Sequence, residues 1–439
     1  MNEAVDRLAK DAKDIDLCKV SIALAFIATV ALRNWVYVVY AFQGFMLLMI
    51  ASKLARRWTL PDVRPYLFSY GFFAFWCALS TFWARSPSSS TEALVGVIQF
   101  IVIGVFVALY ARSEDCIEYL VDCLAWAGVA LLVVLVITTP MAVWKDATQI
   151  LADASSGANR LGATVGYHPN ALGNVCAACL LIWVYRYRRS EEHKVLCLFV
   201  ICAFGLVLLF TKSRLSLAAC SIGFLFYCVL LRKGGATRFA FAAVAMFLFM
   251  GVLWAVINVP ALYDLVGFRF AGLLGSAGAV DASTSTRAEM TRIGFELFRQ
   301  QPLTGVGFAN YSVYYFYDYS GWAITYAHNN YAELLADLGV FGVVAYYFVP
   351  VWSLVVLARA GRRTQDRSGV RLLLVALLAT QLLSDYAAIS YTNDFVQLLW
   401  AISFAYAANL RSQRVLRRRF DRQAANGGRK AMEGVRHGG

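Results

Sequence analysis

Charged residues are scarce in this chain: they make up 15% of its 439 residues, whereas 60% of the residues are hydrophobic. A soluble domain of this size cannot bury so much apolar surface in its own core, so most of that surface must face lipid. Only 8 prolines are present, which leaves little room for a long linker outside the membrane. The composition therefore predicts one compact integral membrane domain that extends over residues 1–439.

Several motifs that would assign a chemistry are missing from the sequence. There is no G-x-x-x-x-G-K-[ST] phosphate loop, which argues against an ATP-driven pump. No H-x-x-x-H, H-E-x-x-H or D-x-D pattern occurs on the predicted outer side, so a preformed zinc or magnesium site is not expected. Cys176 and Cys179 have C-x-x-C spacing, but they stand in an apolar run with no second pair nearby. We interpret them as small helix-packing residues.

Long apolar runs are abundant instead. A transmembrane helix needs about 20 mostly apolar residues, and about twelve runs approach that length. The runs are residues 20–33, 35–52, 65–84, 92–110, 118–139, 168–185, 195–211, 213–231, 238–258, 330–357, 370–388 and 394–410. They predict an all-α polytopic membrane protein with about 12 transmembrane helices.

The distribution of lysine and arginine predicts the orientation, because cytoplasmic loops retain positive charge. Most of the 40 basic residues fall in segments that are cytoplasmic if both termini are inside. The first 19 residues show no cleavage pattern, and we expect them to form a short amphipathic helix on the cytoplasmic surface. The basic tail, residues 411–439, fits anionic lipid. Nucleic acid is the weaker interpretation, because Phe420 is the tail's one aromatic residue.

The basic residues left on the outer side are mostly arginines. They are Arg33, Arg85, Lys145, Arg160, Lys212, Arg214, Arg269, Arg287, Arg292 and Arg299. Because the planar guanidinium suits bidentate binding of phosphate, this bias favours a pyrophosphate ligand. Taken singly, each arginine also fits a solvated position or a lipid headgroup contact.

Two long outer segments, residues 140–167 and 259–329, separate the apolar runs. In the second, Thr286 and Glu289 have the spacing of a capping box, and the sequence predicts an amphipathic helix over 286–300. Such a helix could lie on the membrane or cover a cavity. Arg287 would then fall in the first turn, where free backbone amides favour an anion.

Polar residues also interrupt the apolar runs near their outer ends. Lys212 and Arg214 separate two runs, and basic groups at that depth need a partner. Arg160 comes shortly before His168, in a glycine-containing entrance to the sixth run. Irregular backbone at such a place is expected to line a cavity.

His328 is the candidate general base, because histidine titrates near neutrality. It precedes Asn329 and Asn330 at the start of a long apolar run that carries Glu333 and Asp337 one turn apart. Acids inside an apolar run are functional by default. On local sequence alone, His328 is equally well interpreted as part of an interfacial helix cap.

These residues together resemble the O-antigen ligase and O-antigen polymerase superfamily. The resemblance rests on Pro-Leu-x-Gly-x-Gly at residues 302–307, His-Asn at 328–329 and the glycines of 339–342, and extends over roughly 155–345. It implies a GT-C-like, multi-pass glycosyltransferase of the bacterial inner membrane with a periplasmic active site and no metal or other cofactor.

The resemblance also implies the substrates and the site. The donor would be O-antigen on undecaprenyl pyrophosphate, and the acceptor a sugar hydroxyl of lipid A-core. His328 would deprotonate this hydroxyl, which attacks with inversion, while Arg214, Arg287 and Arg160 would hold the pyrophosphate. Supporting roles are predicted for the remaining polar residues near these positions: Asn329, Asn330, Glu333, Asp337, His168, Lys212 and Arg292.

Other functions remain open at the level of sequence. An O-antigen polymerase would use a second lipid-linked repeat unit as acceptor, and a protein O-oligosaccharyltransferase would use a pilin. A secondary transporter also fits many spans with buried acids, but it usually shows internal repeats, and we find none between residues 20–211 and 213–410.

Overall fold

The computed structural model describes residues 16–54, 62–148, 161–211, 213–232, 282–319, 321, 324–360 and 369–413, together with isolated residues between 234 and 259. Within these residues the protein is helical and has no strand. The helices are α1 (Leu17–Ala31), α2 (Val36–Leu54), α3 (Arg64–Ser80), α4 (Pro87–Tyr110), α5 (Glu114–Thr138), α6 (Met141–Thr148), α7 (Pro169–Arg189), α8 (Lys194–Phe210), α9 (Arg214–Leu231), α10 (Ala282–Gln300), α11 (Tyr311–Asp318), α12 (Asn330–Arg359), α13 (Val370–Ser384) and α14 (394–413).

Helices occupy the predicted spans wherever the structure describes them. Among the described residues, 4 helices are long and apolar enough to cross a membrane by length and composition: α2, α4, α5 and α12. The shorter apolar helices include α1, α8, α9 and α13. An all-helical membrane protein is therefore supported, while the count of about 12 spans and the GT-C-like arrangement remain predictions. The predicted N-terminal surface helix and most of the predicted basic tail lie outside the described residues.

Contacts between charged residues separate the two ends of the helical bundle. At one end Lys53 pairs with Asp16 at 2.7 Å, and Arg189 with Glu118 at 2.6 Å. At the other end Arg85 pairs with Asp318 at 2.5 Å. The first two pairs join segments that the charge distribution places inside, and the third joins segments that it places outside. The grouping agrees with the predicted topology, but it does not identify the side of the membrane.

Helix α12 packs against α3, α10 and α13, and it is kinked near its beginning. Gly339 adopts φ 63° and ψ −164°, which interrupts the helical hydrogen bonds. The kink frees backbone groups of α12 that must find other partners in an apolar environment. Those partners come from the outer segment that precedes α12, and they position the candidate site.

The predicted helix over residues 286–300 begins earlier than expected. Helix α10 already includes Ala282, so Thr286 lies inside it and does not cap it. The Thr-x-x-Glu spacing also fits a helix interior, where residues i and i+3 share a face. Glu289 accepts hydrogen bonds from Arg292, at 2.8 and 2.7 Å. The capping box was wrong, and Arg287 lies beyond the first turn, where the free backbone amides are.

The apolar face predicted for this helix is confirmed, and so is its end before Pro302. Met290, Ile293 and Leu297 are at most 2% exposed. They pack in a cluster with Tyr311 and Tyr315 of α11, and with residues at the beginning of α12. Helix α10 therefore covers neighbouring protein with this face. The short helix α11 was not predicted.

Candidate functional site

The Pro-Leu-x-Gly-x-Gly segment, residues 302–307, docks directly on the kink of α12. The amide of Val340 donates to the carbonyl of Pro302 at 2.9 Å, and the amide of Val306 donates to the carbonyl of Ala336 at 2.8 Å. Gly305 and Gly339 both have positive φ, and a Cβ on either would collide with the backbone of the opposite segment. Gly305 of the motif and Gly339 of the kink are thus required by this close approach of two backbones.

Two tryptophans complete the contacts around this docked segment. The Nε1–H of Trp76 donates to the carbonyl of Leu338 at 2.9 Å, in the kink itself. The Nε1–H of Trp83 donates to the carbonyl of Gly305 at 3.1 Å. The kink and the loop leave these two carbonyls without partners in regular secondary structure. The tryptophan N–H groups supply their hydrogen bonds, which an apolar environment requires.

Asp337 holds the chain that follows the motif. Its carboxylate accepts hydrogen bonds from the amides of Ala309, Asn310 and Tyr311 at 2.9, 3.1 and 2.6 Å. These amides stand at the start of α11, where a helix leaves its amides without internal partners. Asp337 is 0% exposed, so we interpret it as the clamp that fixes α11 against α12.

His328 stands immediately before α12 in a constrained backbone. Its φ is +55°, which side chains other than glycine rarely adopt. On one side, the amide of Ala327 donates to Glu333 Oε2 at 2.7 Å. On the other side, Asn329 caps α12 by accepting from the amides of Tyr331 and Ala332. His328 is thus fixed by contacts on both sides, which is typical of a functional position.

The structure brings His168 next to His328. The two ring centroids are 5.9 Å apart, although 160 residues of sequence separate the side chains. His168 caps α7, because its Nδ1 accepts from the amide of Asn170 at 3.3 Å. The glycine-containing entrance to the sixth predicted span therefore lies at the candidate base.

The beginning of α9 packs on the same entrance. The hydroxyl of Ser216 lies within hydrogen-bond distance of two acceptors, the carbonyl of Asn170 at 3.1 Å and Asn174 Oδ1 at 2.9 Å, and it can donate to either. Arg214 is the first residue of α9, so its backbone lies about half a turn from Ser216. The side chain of Arg214 is outside the described part of the structure, as are Lys212 and Arg160. Their predicted roles in binding pyrophosphate remain predictions.

Arg287 and Arg292 lie on different faces of α10. Arg287 is half-buried and stands one turn before Met290, which packs in the cluster that contains Ala327. Arg292 is exposed and pairs with Glu289 and Glu296 at 2.7 and 2.8 Å. The hydrogen bond from this guanidinium lowers the pKa of the Glu289 carboxyl. Arg287 therefore has the better position for the proposed site.

No group of three or more His, Cys, Asp or Glu side chains in the described residues is arranged to hold a metal ion. Cys176 and Cys179 are both buried in α7 as free thiols, in agreement with their interpretation as packing residues. Glu333 and Asp337 are engaged by backbone amides. Guanidinium groups suit the oxygens of phosphate, so the arginines are candidates for countering a phosphate charge.

Residues 196–347 match the O-antigen ligase family. The matched segment runs from α8 through the docked glycine motif and His328 into α12, so the resemblance inferred from the sequence is confirmed there. No curated protein shows a significant match to the chain. At the level of the family, the match supports ligase-type or polymerase-type glycosyl transfer. With the apolar helices, it also supports a multi-pass protein of the bacterial inner membrane.

One part of the site lies beyond the segment that matches the O-antigen ligase family, and sequence reasoning missed it. Asp385, after α13, is 0% exposed, and its carbonyl accepts from the amide of Asn330 at 2.8 Å. Its carboxylate accepts from Tyr347 and Ser390, both at 2.8 Å. An acid in the apolar run 370–388 was the signal that could have identified it.

Asn329 and Asn330 both have structural partners. Asn330 Nδ2 donates to the hydroxyl of Tyr347 at 2.7 Å, and its Oδ1 accepts from the amide of Ser390 at 3.0 Å. Asn329 uses its side-chain oxygen to cap α12. Both side chains are therefore engaged in holding the end of α12 that carries His328.

Proposed function

We propose that this protein transfers O-antigen polysaccharide from undecaprenyl pyrophosphate to a sugar hydroxyl of lipid A-core on the periplasmic face of the inner membrane. The observation that carries the proposal is the position of His328. It is held between the Ala327–Glu333 hydrogen bond and the Asn329 cap, beside the entrance to α7. The match of this segment to the O-antigen ligase family supports the choice of reaction.

The chemistry needs one base and one site for the leaving group. The acceptor hydroxyl loses its proton to His328, and its oxygen forms a bond to the anomeric carbon of the donor sugar. The bond from this carbon to the pyrophosphate oxygen breaks, and inversion follows from attack on the opposite face. Undecaprenyl pyrophosphate leaves with the electron pair.

Arginines supply the charge that stabilises this leaving group. Arg287 stands on the half-buried face of α10, and Arg214 begins α9 beside the entrance that His168 caps. Guanidinium groups bind phosphate oxygens in pairs, and this binding strengthens as negative charge develops on the departing oxygen. With Arg160 as a third member, they account for the reaction without a metal ion.

The test reconstitutes the purified protein in liposomes with lipid-linked O-antigen and lipid A-core, and follows the formation of lipopolysaccharide. We expect formation with the wild type, and the same rate after a chelator has removed divalent metals. His328→Ala should abolish transfer and still elute as a folded protein. His193→Ala, which changes an exposed histidine before α8, is the matched control and should retain full activity.

Different results would contradict the proposal in identifiable ways. Near-normal transfer by His328→Ala would exclude this residue as the base. Longer lipid-linked chains without modification of lipid A-core would show a polymerase. Uptake of a solute without any glycosyl transfer would show a transporter.

A further inference from the structure

Three aromatic rings from two separate parts of the chain meet at the candidate base. The ring of Tyr326 lies against His328 with a centroid distance of 4.2 Å and an interplanar angle of 50°. The ring of His168 approaches both, with centroids 5.9 Å from each. The plane of the His168 ring makes an angle of 62° with the ring of His328 and of 89° with the ring of Tyr326. His168 therefore meets the other two rings edge to face, at a spacing that aromatic pairs favour, while the ring of Tyr326 lies tilted against His328.

We propose that Tyr326 and His168 are positioning residues that fix the plane of the His328 imidazole. This inference rests on the proposed function, in which His328 is the general base. It adds a residue, Tyr326, to the site and gives His168 a role other than contact with substrate.

The base needs such support because its backbone contacts do not by themselves set the plane of its ring. The backbone contacts of Ala327 and Asn329 fix where the side chain of His328 begins, but the terminal torsion of histidine has a broad energy minimum. His328 is half-buried beside the entrance to α7. A general base works only when its nitrogen is within hydrogen-bond reach of the proton, and packing must therefore set its plane.

His168 is itself held in place, so its ring can restrict the rotation of the His328 ring that packs against it. Its Nδ1 accepts from the amide of Asn170, so the neutral ring carries its proton on Nε2. The hydrogen bond ties the ring to the first turn of α7. The neighbouring Gly166 has φ +74°, and a Cβ there would collide with the side chain of Asn34. The loop that carries His168 is therefore packed against the segment between α1 and α2.

Two pairs of variants separate the contribution of the ring from other contributions. Tyr326→Phe keeps the ring, whereas Tyr326→Ala removes it. His168→Asn keeps an oxygen that can cap α7, whereas His168→Ala removes both the cap and the ring. Tyr317→Ala, on the same outer segment and 62% exposed, is the control for general effects of losing an aromatic residue.

The first measurement is the kinetics of transfer for donor and acceptor. We expect Tyr326→Ala to lower kcat about 10-fold or more while KM for both substrates changes less than about 2-fold, because misorientation of the base affects the transition state alone. Tyr326→Phe and Tyr317→Ala should stay near the wild type. His168→Asn should lower kcat without lowering the melting temperature. Unchanged kcat in Tyr326→Ala, or a loss shared by Tyr326→Phe, would overturn the proposal.

A second measurement does not depend on turnover. Diethyl pyrocarbonate modifies neutral imidazole nitrogens, and mass spectrometry gives the rate at His328 separately from the other histidines. We expect faster modification in Tyr326→Ala than in the wild type, and an unchanged rate in Tyr326→Phe. Equal rates in all three proteins would refute the packing role. If the wild type showed no transfer, the proposed function would fail, while these rates would still decide whether Tyr326 positions the ring.

Discussion

The carboxylate of Glu333 accepts a hydrogen bond from the backbone amide of Ala327 at 2.7 Å, one residue before His328. One turn further along α12, Asp337 accepts from the amides of residues 309–311. Two buried acids of a single helix thus hold both ends of the segment that contains α11. The candidate base directly follows Ala327, which Glu333 holds. We therefore interpret the two acids as residues that position the site, while His328 transfers the proton.

Glu333→Leu should lower transfer about 10-fold or more, because the buried amide of Ala327 then loses its acceptor, at a cost of about 1–3 kcal/mol. Glu333→Gln should retain most activity, because its carbonyl oxygen can face Ala327 while its NH2 group faces the hydroxyl of Tyr391. Initial rates of transfer on folded protein decide between them. If Gln were as damaging as Leu, the charge of Glu333 would be needed, and a purely positioning role would be refuted.

The reach of sequence reasoning differs between the fold and the site. The length of the apolar runs predicted where helices occur, because a helix that crosses the lipid bilayer needs about 20 mostly apolar residues. Periodicity predicted the buried face of α10, with Met290, Ile293 and Leu297. The predicted start of α10 was wrong, because the Thr286–Glu289 spacing suits both a capping box and a helix interior. Periodicity also missed α11, whose residues are largely aromatic and show no simple alternation of apolar and polar positions.

The clamp and the ring cluster could not be derived from local patterns. The sequence marked Asp337 as an unusual acid, but its partners at residues 309–311 are backbone amides, which every segment possesses. His168 and His328 were recognised separately on the outer side. Their approach to 5.9 Å depends on how α7 packs beside the beginning of α12. Tertiary packing alone specifies that relationship.

Asp337→Asn should destabilise the protein while leaving α12 intact. The carboxylate uses both oxygens, one toward Ala309 and the other toward Asn310 and Tyr311. An amide has a single acceptor oxygen, so one buried N–H would face an NH2 group, at a cost of about 1–3 kcal/mol. Thermal unfolding in detergent measures the difference.

The control for Asp337→Asn is Asp318→Asn. Asp318 pairs with Arg85 where both side chains are more than 40% exposed, and an exposed pair contributes less than about 1 kcal/mol. Equal melting temperatures for Asp337→Asn and the wild type would show that the amides of residues 309–311 do not depend on the clamp.

Gly339→Ala should prevent correct docking of residues 302–307 on α12. Gly339 has φ +63°, and an added Cβ would collide with the carbonyl of Leu303. Strain at such a position costs about 1–3 kcal/mol before the collision is counted, so we expect little folded protein by gel filtration. Gly44→Ala, in α2, is the matched control because no atom lies within 4 Å of its added Cβ. Normal yield of Gly339→Ala would contradict the docked geometry.

Arg287→Ala should weaken use of the donor. Arg287 is half-buried on α10, one turn before Met290. Met290 packs in the apolar cluster that also contains Ala327, the residue before His328. If its guanidinium binds pyrophosphate, its loss should raise the donor KM and lower kcat, with kcat/KM falling about 10–100-fold, because charge-assisted bonds are strongest to the leaving group. The acceptor KM should change little.

Arg287→Lys should recover part of the loss, since lysine supplies the charge without the bidentate fork. Arg299→Ala, at the exposed end of the same helix, removes an equal charge and should behave as the wild type. An unchanged response of Arg287→Ala to donor concentration, or an equal loss in Arg299→Ala, would exclude a specific pyrophosphate contact and leave general electrostatic attraction as the explanation.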